Sequence, residues 1–244
     1  MRALFPSLSL FFAIAGCSPA TNETGAAFTR TGQVIAMSGG EGGAANACFT
    51  CHGLDGGGDG VSVPRLAGLD AGYLQKQMED YASGVRQNAA MTEVARWLDD
   101  GDRRAVSVWY ASLPAPPRRI DPSITPPPLY LKGDPGRGVA PCATCHGVAG
   151  EGVGAGNPAI WGQPAAYTIH QLQKWRNRER RNDPRGVMTQ AVAGLTDEEI
   201  RELAVWLQNA PASRPPGTDV ASASAAATAA AQPATSHGIR HPDR

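Results

Sequence analysis

Two short cysteine-histidine segments carry most of the chemistry in this sequence. Cys48-Phe-Thr-Cys51-His52 recurs ninety-four positions later as Cys142-Ala-Thr-Cys145-His146. Two residues between the cysteines make one turn, which presents both sulfurs to one side of a flat macrocycle and places the imidazole beneath its centre. CxxCH is the attachment signature of c-type haem, in which both cysteines bond to the porphyrin and the histidine ligates the iron. The sequence therefore predicts two covalently bound haem c groups, attached at Cys48, Cys51, Cys142 and Cys145, with His52 and His146 as axial ligands.

Each iron then needs either a sixth ligand or an open position. Met91 and Met188 occupy equivalent places, about forty residues after their histidines, in stretches that we expect to be loops. A thioether ligand raises the potential of a histidine-ligated haem, although two packing methionines are the alternative interpretation. Two other residues are weaker candidates for the sixth ligand. Met78 lies within a predicted helix and aligns with Leu172, and His170 has mostly polar neighbours and is expected to face solvent.

A proline follows each haem-binding histidine at the same distance. Pro64 comes twelve residues after His52, and Pro158 comes twelve residues after His146. A carbonyl oxygen at these positions can accept the outward N–H of the imidazole, which fixes the orientation of the ring and raises its basicity. The prolines could instead only turn the chain, and the repeat does not separate these two roles.

Two other cysteine chemistries fit the sequence less well than haem attachment. Disulfides are common in exported proteins, but each pair would join cysteines only three positions apart and would not need the following histidine. Paired CxxC segments also bind zinc. Zinc, however, requires neither a histidine after each pair nor a repeated methionine downstream.

The haem motifs belong to an internal repeat. An offset of ninety-four aligns six further identical pairs: Pro64/Pro158, Gly68/Gly162, Tyr73/Tyr167, Gln77/Gln171, Arg86/Arg180 and Asn88/Asn182. The second copy then gains three residues, and the new offset aligns Met91 with Met188 and Trp109 with Trp206. Two copies are too few for a solenoid, so each copy is expected to enclose its own core.

The composition suits two small domains that each surround a macrocycle. The 244 residues include 22 basic and 22 acidic side chains, so net charge indicates neither nucleic acid nor an anionic membrane surface as a partner. Aromatic residues make up only 6% of the chain, whereas glycine and proline are plentiful. A covalently held porphyrin in each domain would supply the apolar mass that the side chains lack.

The amino terminus has the pattern of an export signal. Arg2 is its only charge, and the mostly apolar run over 4–15 is too short to span a bilayer comfortably. The run leads into IAGC at 14–17, which resembles a bacterial lipobox and makes Cys17 the predicted lipidation site. We therefore expect a periplasmic protein held to a membrane by acyl chains. Ordinary signal cleavage, with Cys17 discarded or left free, is the alternative.

These features divide the chain into six segments: a signal peptide with lipobox at 1–16, a tether at 17–31, a first haem domain at 32–113, a proline-rich linker at 114–132, a second haem domain at 133–210 and a tail at 211–244. The linker favours extended polyproline geometry. The tail is rich in alanine, serine and proline without hydrophobic periodicity, so it is predicted to be disordered. His237 and His241 in the tail are interpreted as solvated side chains.

Hydrophobic periodicity predicts helices and no strands. Apolar residues recur at helical spacing over 100–113 and 196–210, with Asp100 as the expected N-cap of the first segment. The second opens with a capping box formed by Thr196 and Glu199. Middle helices are expected over 73–83 and 166–178. The predicted fold class is all-α, with two tandem domains joined by the linker.

Taken together, these features resemble the tandem dihaem cytochrome c4 family and, more broadly, class I cytochromes c. The resemblance covers roughly residues 33–210 and includes the CxxCHG cores, PRLAG, PAIWG, YLQKQ, GVRQNAAM and the tryptophan-bearing final helices. It implies that the aligned histidines and methionines are axial ligands, that the aligned prolines support the histidines, and that the protein carries electrons. The sequence departs from the family in the lipobox, the alanine-rich tail and the stretch WRNRERRNDPRGVM.

The stretch 174–185 is unusually basic, with six basic residues against two acidic ones. Arg180, which aligns with Arg86, is a candidate partner for haem propionates. The stretch could equally dock an acidic partner or form a solvated helix face.

Two six-coordinate haems would exclude substrate from iron and leave outer-sphere electron transfer as the available chemistry. We therefore predict an electron carrier and not an enzyme. Its predicted redox partner is a cytochrome bc complex, a terminal oxidase or a periplasmic dehydrogenase. A dihaem peroxidase and a haem-based gas sensor are the rival functions, and both need an open or displaceable sixth position.

Overall fold

The computed structural model describes residues 31–117, 124–154 and 156–210, in which helices and turns repeat in the same order in each half. The α-helices of the first half are α1 (Gly32–Ser38), α2 (Phe49–His52), α3 (Ala71–Ser83), α4 (Ala89–Trp97) and α5 (Asp100–Ser112). Those of the second half are α6 (Pro128–Lys132), α7 (Ala143–His146), α8 (Ala165–Arg176), α9 (Val187–Ala191) and α10 (Asp197–Asn209). Short 3-10 turns cover Gly40–Gly42, Ala44–Asn46, Pro135–Arg137 and Pro184–Gly186. Across these ranges an isolated bridge between Asp134 and Val139 is the sole β pairing.

The predicted all-α class with two tandem domains is confirmed. In the first domain α5 packs against α1 and α3, and α4 packs against α3. In the second domain α8 packs against α10 and α9, while α6 contacts α7. Each CxxCH segment forms a one-turn helix of its own beside these longer helices.

The crossing of α1 and α5 depends on a glycine. A Cβ atom added to Gly32 would lie 2.1 Å from the carbonyl oxygen of Ala105 and 2.8 Å from Cβ of Trp109. No side chain fits in that space, so only glycine lets the two backbones approach this closely.

The two domains fill their interiors differently. The second has one buried cluster in which Tyr130, Ile200 and Trp206 are the largest residues. The hydroxyl of Tyr130 donates at 2.6 Å to the carbonyl of Gly147, the residue that follows the haem motif. The first domain has two smaller clusters. There Arg103 stands at the position of Ile200, is nearly buried and forms an ion pair with Glu79 at 3.0 Å.

Several helix boundaries differ from the sequence prediction. Asp99, not Asp100, caps α5, because its carboxylate accepts from the amide of Asp102 at 2.7 Å. The capping box of Thr196 and Glu199 is confirmed at the start of α10. The middle helices are confirmed, but α3 begins two residues early at Ala71, and α8 covers Ala165–Arg176 instead of 166–178.

Some sequence predictions lie outside the described residues. These are the signal peptide, the lipobox with Cys17, most of the tether, residues 118–123 of the linker and the tail with its two histidines. Among the residues that the structure describes, none of the helices combines the length and apolar character needed to cross a membrane.

Candidate haem sites and the domain interface

The two CxxCH segments adopt the same backbone conformation. The amide of His52 donates to the carbonyl of Cys48 at 2.9 Å, and the amide of His146 donates to the carbonyl of Cys142 at 2.9 Å. These bonds close the single turns of α2 and α7, so that each cysteine pair and its histidine lie on one short helix. Cys51 is exposed, and the other three motif cysteines are half-buried.

Both haem-motif histidines are buried and oriented by a proline carbonyl. Nδ1 of His52 lies 3.0 Å from the carbonyl oxygen of Pro64, and Nδ1 of His146 lies 2.9 Å from that of Pro158. Because a carbonyl only accepts, Nδ1 must carry the proton, which leaves the Nε2 lone pair available to a metal. Burial lowers the pKa of both histidines below the usual value, which favours the neutral, ligating form.

Met91 and Met188 lie in helices, so the expectation that both lie in loops is wrong. Met91 is in the first turn of α4, where its amide donates to the side chain of Asn88 at 3.0 Å. Met188 is in α9, where the amide of Thr189 donates to Asp183 at 3.0 Å. Both methionines are half-buried. The Asn88 cap of α4 is a local signal that sequence reasoning missed, whereas α9 begins after Gly186 without a side-chain cap.

The competing ligands lie elsewhere. Met78 packs against the cluster of Ile35, Leu98 and Val106 in the first domain. His170 is exposed on α8, as the sequence indicates.

Two arginines from the repeat meet at the contact between the domains. Arg86 donates to Gln77 of its own domain at 2.9 Å, and to Tyr167 and Gln171 of the other domain at 3.0 Å each. Arg180 donates to Gln171 at 2.6 Å and, across the interface, to Gln77 at 3.0 Å. Each glutamine oxygen thus accepts from both guanidinium groups, in an arrangement that is nearly two-fold symmetric.

These buried guanidinium groups have neutral partners only. Arg86 and Arg180 are each 5% exposed, and within the described residues neither has a carboxylate within 4.0 Å. Arg86 stacks on Tyr81 at 4.6 Å, and Arg180 stacks on Trp175 at 3.9 Å. The indole N–H of Trp175 is buried, and no acceptor is recorded for it in the described ranges. Burial of two cations is costly without anions nearby.

This set of donors fits the acid groups of haem. A haem carries two propionate carboxylates, and charge-assisted hydrogen bonds from arginine are the strongest that such groups receive. Arg86, Arg180 and Trp175 are therefore suited to hold propionates at the interface. For the basic stretch 174–185 this favours the propionate interpretation at Arg180, whereas Arg178, Arg181 and Arg185 are exposed.

A second interdomain contact was not foreseen from the sequence. The amide of Arg65 donates to Oε1 of Gln163 at 2.9 Å, and Nε2 of Gln163 donates to the carbonyl of Arg65 at 2.9 Å. The guanidinium of Arg65 reaches the carbonyl of Trp161 at 2.9 Å and lies 4.4 Å from the centroid of its ring. Arg65 aligns with Ala159 and Gln163 with Leu69, so the repeat carries no signal for this contact.

Comparison with known proteins agrees with the paired geometry. The family model described as "Cytochrome c" matches twice, over residues 39–113 and 136–211. The chain belongs to the cytochrome c family. It is 40% identical over 184 residues to a thiosulfate dehydrogenase electron acceptor of Stutzerimonas stutzeri (strain A1501), covering 73% of this chain and 85% of that protein. It is 37% identical over 176 residues to cytochrome c4 of Thiocapsa roseopersicina, covering 69% of this chain and 90% of that protein.

Solved structures show the same tandem fold. Reduced recombinant cytochrome c4 from Pseudomonas stutzeri superimposes with a TM-score of 0.63 at 30% identity, covering 67% of this chain and 93% of that one. A thiosulfate dehydrogenase from Marichromatium purpuratum superimposes with a TM-score of 0.64 at 36% identity and covers 79% of this chain. The match takes in only 43% of that longer chain.

This cytochrome therefore binds two haem c groups covalently, one in each domain. Haem c supplies a one-electron Fe(III)/Fe(II) couple, and the protein tunes it through ligands, hydrogen bonds and burial. The protein is an electron carrier that serves redox partners.

Proposed function

We propose that this two-haem cytochrome accepts electrons from a periplasmic oxidoreductase of the thiosulfate dehydrogenase type and passes them to a respiratory chain. Two relatives that match most of the chain are named as electron acceptors of thiosulfate dehydrogenase, at 40% and 36% identity. A cytochrome bc complex, a terminal oxidase or another periplasmic dehydrogenase would also fit as a redox partner. The match to these named electron acceptors carries the choice of donor, and the pair of equivalent buried histidines, each with Nδ1 held by a proline carbonyl, carries the electron-transfer role.

A histidine and a methionine would ligate each iron: His52 and Met91 in the first domain, and His146 and Met188 in the second. Support for the second pair comes from packing, since Met188 and Cys142 both border the same core cluster. In the first domain the side chain of Asn88 fixes the turn that begins α4 and so fixes the backbone at Met91. Pro64 and Pro158 are proposed to set the orientation and basicity of the histidine rings.

Closed coordination separates the carrier from the rival peroxidase, which needs an accessible iron. We expect the absorption spectrum of the dithionite-reduced protein to stay unchanged when carbon monoxide is added. The variants Met91→Ala and Met188→Ala should each let carbon monoxide bind to half of the haem. Met78→Leu is the matched control and should bind none, because Met78 packs in the core. Carbon monoxide binding by the unaltered protein would contradict closed coordination and favour a peroxidase or sensor role.

A periplasmic location with a lipid anchor on Cys17 completes the proposal. The residues in question lie outside the described part of the chain, and the support is the apolar run that leads into IAGC. The Cys17→Ser variant should move from the membrane fraction to the soluble periplasmic fraction and lose incorporation of labelled palmitate. Labelling that survives the substitution would contradict the anchor.

A further inference from the structure

One peptide group links the first haem-motif histidine to the second domain. The carbonyl of the Pro64–Arg65 peptide accepts from Nδ1 of His52 at 3.0 Å. The N–H of that same peptide donates to Oε1 of Gln163 at 2.9 Å. His52, Arg65 and Gln163 are 6%, 2% and 6% exposed, so the bond between Arg65 and Gln163 is shielded from water. The result is an unbroken hydrogen-bonded chain from the imidazole, through one amide, to a side chain ninety-eight residues further along the sequence.

We propose that Gln163 is a positioning residue that lowers the reduction potential of the first haem through this peptide. A hydrogen bond to the N–H polarises an amide and makes its carbonyl a stronger acceptor. A stronger acceptor at Nδ1 increases the basicity of the imidazole as an iron ligand. A more basic ligand stabilises Fe(III) relative to Fe(II). The inference rests on the proposed role of His52 as an axial ligand.

The second domain lacks the corresponding link. Pro158 accepts from His146 at 2.9 Å, but Ala159 follows it, and among the described residues the amide of Ala159 has no recorded acceptor. Leu69, which aligns with Gln163, has no polar side-chain atom and cannot reproduce the bond. The hydrogen-bonded chain from His52 through the Pro64–Arg65 peptide to Gln163, called the relay below, therefore acts on one haem only. It makes the two irons inequivalent, even though their local motifs are nearly the same.

Neighbouring contacts fix the side chains of Gln163 and Arg65 in place. Nε2 of Gln163 donates back to the carbonyl of Arg65 at 2.9 Å, so the amide side chain cannot rotate without losing two bonds. The guanidinium of Arg65 reaches the carbonyl of Trp161 and stacks on its ring. Trp161 lies three residues after Pro158 in the same loop, and its amide holds that loop to the carbonyl of Gly150 at 3.1 Å. The loops that orient the two histidines are thus joined directly across the interface.

The test is Gln163→Met, which keeps the length of the side chain and removes both hydrogen bonds. We expect the equilibrium constant for reduction of the first haem to rise three- to tenfold, a shift of about 30–60 mV in its midpoint potential. The potential of the second haem should move less. In proton NMR spectra of the reduced holoprotein, the Nδ1–H resonance of His52 should move upfield as its hydrogen bond weakens, while that of His146 stays in place.

Tyr167→Phe is the matched control. It removes one interdomain hydrogen bond, from Arg86 at 3.0 Å, and leaves the Pro64–Arg65 peptide untouched. It should leave the Nδ1–H resonance of His52 unchanged, so general loosening of the interface is distinguished from loss of the relay. The inference is overturned if Gln163→Met leaves that resonance in place, or if both haems shift equally.

Failure of the ligand assignment would look different. In the reduced unaltered protein, the side-chain resonances of His52 and Met91 should be displaced strongly by the ring current of the haem. If they are not, the proposed ligation is wrong before any substitution is made. If they are, and Gln163→Met still leaves the Nδ1–H resonance of His52 in place, the ligation stands and the proposed effect of Gln163 is wrong.

Discussion

At the scale of single residues, Glu199 shows how one carboxylate can serve two purposes. It accepts from the amide of Thr196 at 2.8 Å in the capping box of α10, and it forms an ion pair with Arg137 at 2.7 Å. The hydrogen bond from Arg137 is the main cause that lowers the pKa of Glu199 to about 2, with the Thr196 amide next. Because the pKa of Glu199 in the folded protein lies below its ordinary value of 4.5, the carboxylate contributes stability above about pH 4.5 and loses it as the pH falls toward 2.

Replacement of Glu199 by glutamine should therefore have a pH-dependent effect. At pH 7 we expect Glu199→Gln to lower the free energy of unfolding by about 1 kcal/mol, the usual size of a capping or exposed ion-pair interaction. The difference from the unaltered protein should shrink between about pH 5 and pH 2. Urea unfolding of both proteins at several pH values measures it. Glu202→Gln, exposed on the same helix, is the control. A difference that stays constant down to pH 2 would contradict the assignment.

At the scale of elements, the ends of the two middle helices differ in a way that has an energetic cost. Helix α3 is followed by Gly84 in the left-handed region, with φ of 81°. The aligned residue after α8 is Arg178, which has φ of 60°. A side chain in this conformation brings Cβ close to the next carbonyl, whereas glycine has no Cβ and adopts it freely. The second domain therefore carries backbone strain at a place where the first has none.

A glycine at position 178, as at Gly84 in the first domain, should stabilise the second domain. We expect Arg178→Gly to raise the free energy of unfolding by about 0.5–1 kcal/mol, after allowance for the greater freedom of glycine in the unfolded chain. Thermal unfolding followed by circular dichroism would show the gain. The Arg178→Ala variant loses the same charge but keeps a Cβ, so it should show no gain. Equal stabilisation by alanine would mean that charge, and not backbone strain, is the cause.

At the scale of the whole molecule, the buried arginines at the interface act on both domains at once. Arg86 and Arg180 share the same two glutamine acceptors, so a change at one guanidinium reaches the partners of the other. A buried positive charge favours the form of the haem with less positive charge, which is the reduced form. The interface should therefore raise both potentials, in opposition to the proposed effect of Gln163 on the first haem.

Removal of one interface charge tests this. Arg86→Gln should lower the midpoint potentials of both haems by roughly 40 mV, which corresponds to about 1 kcal/mol of charge interaction. Spectroelectrochemical titration would resolve the two steps. Arg96→Gln is the control, because Arg96 is exposed in the same domain. Equal shifts in the two variants would show that long-range charge alone is responsible, and no shift at all would exclude a role for Arg86 at the haems.

The sequence by itself determined the features that local patterns encode. The CxxCH motifs indicate two covalent haems because attachment needs only five consecutive residues in one turn. Helical periodicity gave the all-α class, and the capping box of Thr196 and Glu199 marked the start of α10 within one residue. The twelve-residue interval from each histidine to its proline raised the question of a contact, and in the structure Nδ1 and the carbonyl oxygen lie 3.0 and 2.9 Å apart.

Only the tertiary structure decided how the two halves meet. The repeat aligns Arg86 with Arg180, but their shared glutamines follow from the way the domains dock. Arg65 and Gln163 have no counterparts in the other copy, and their bonds join residues ninety-eight positions apart. Such a pairing has no local signature, because either residue alone would be equally stable in water at the surface. Docking removes that water, and the free energy of the buried hydrogen bonds then selects one arrangement of the two domains.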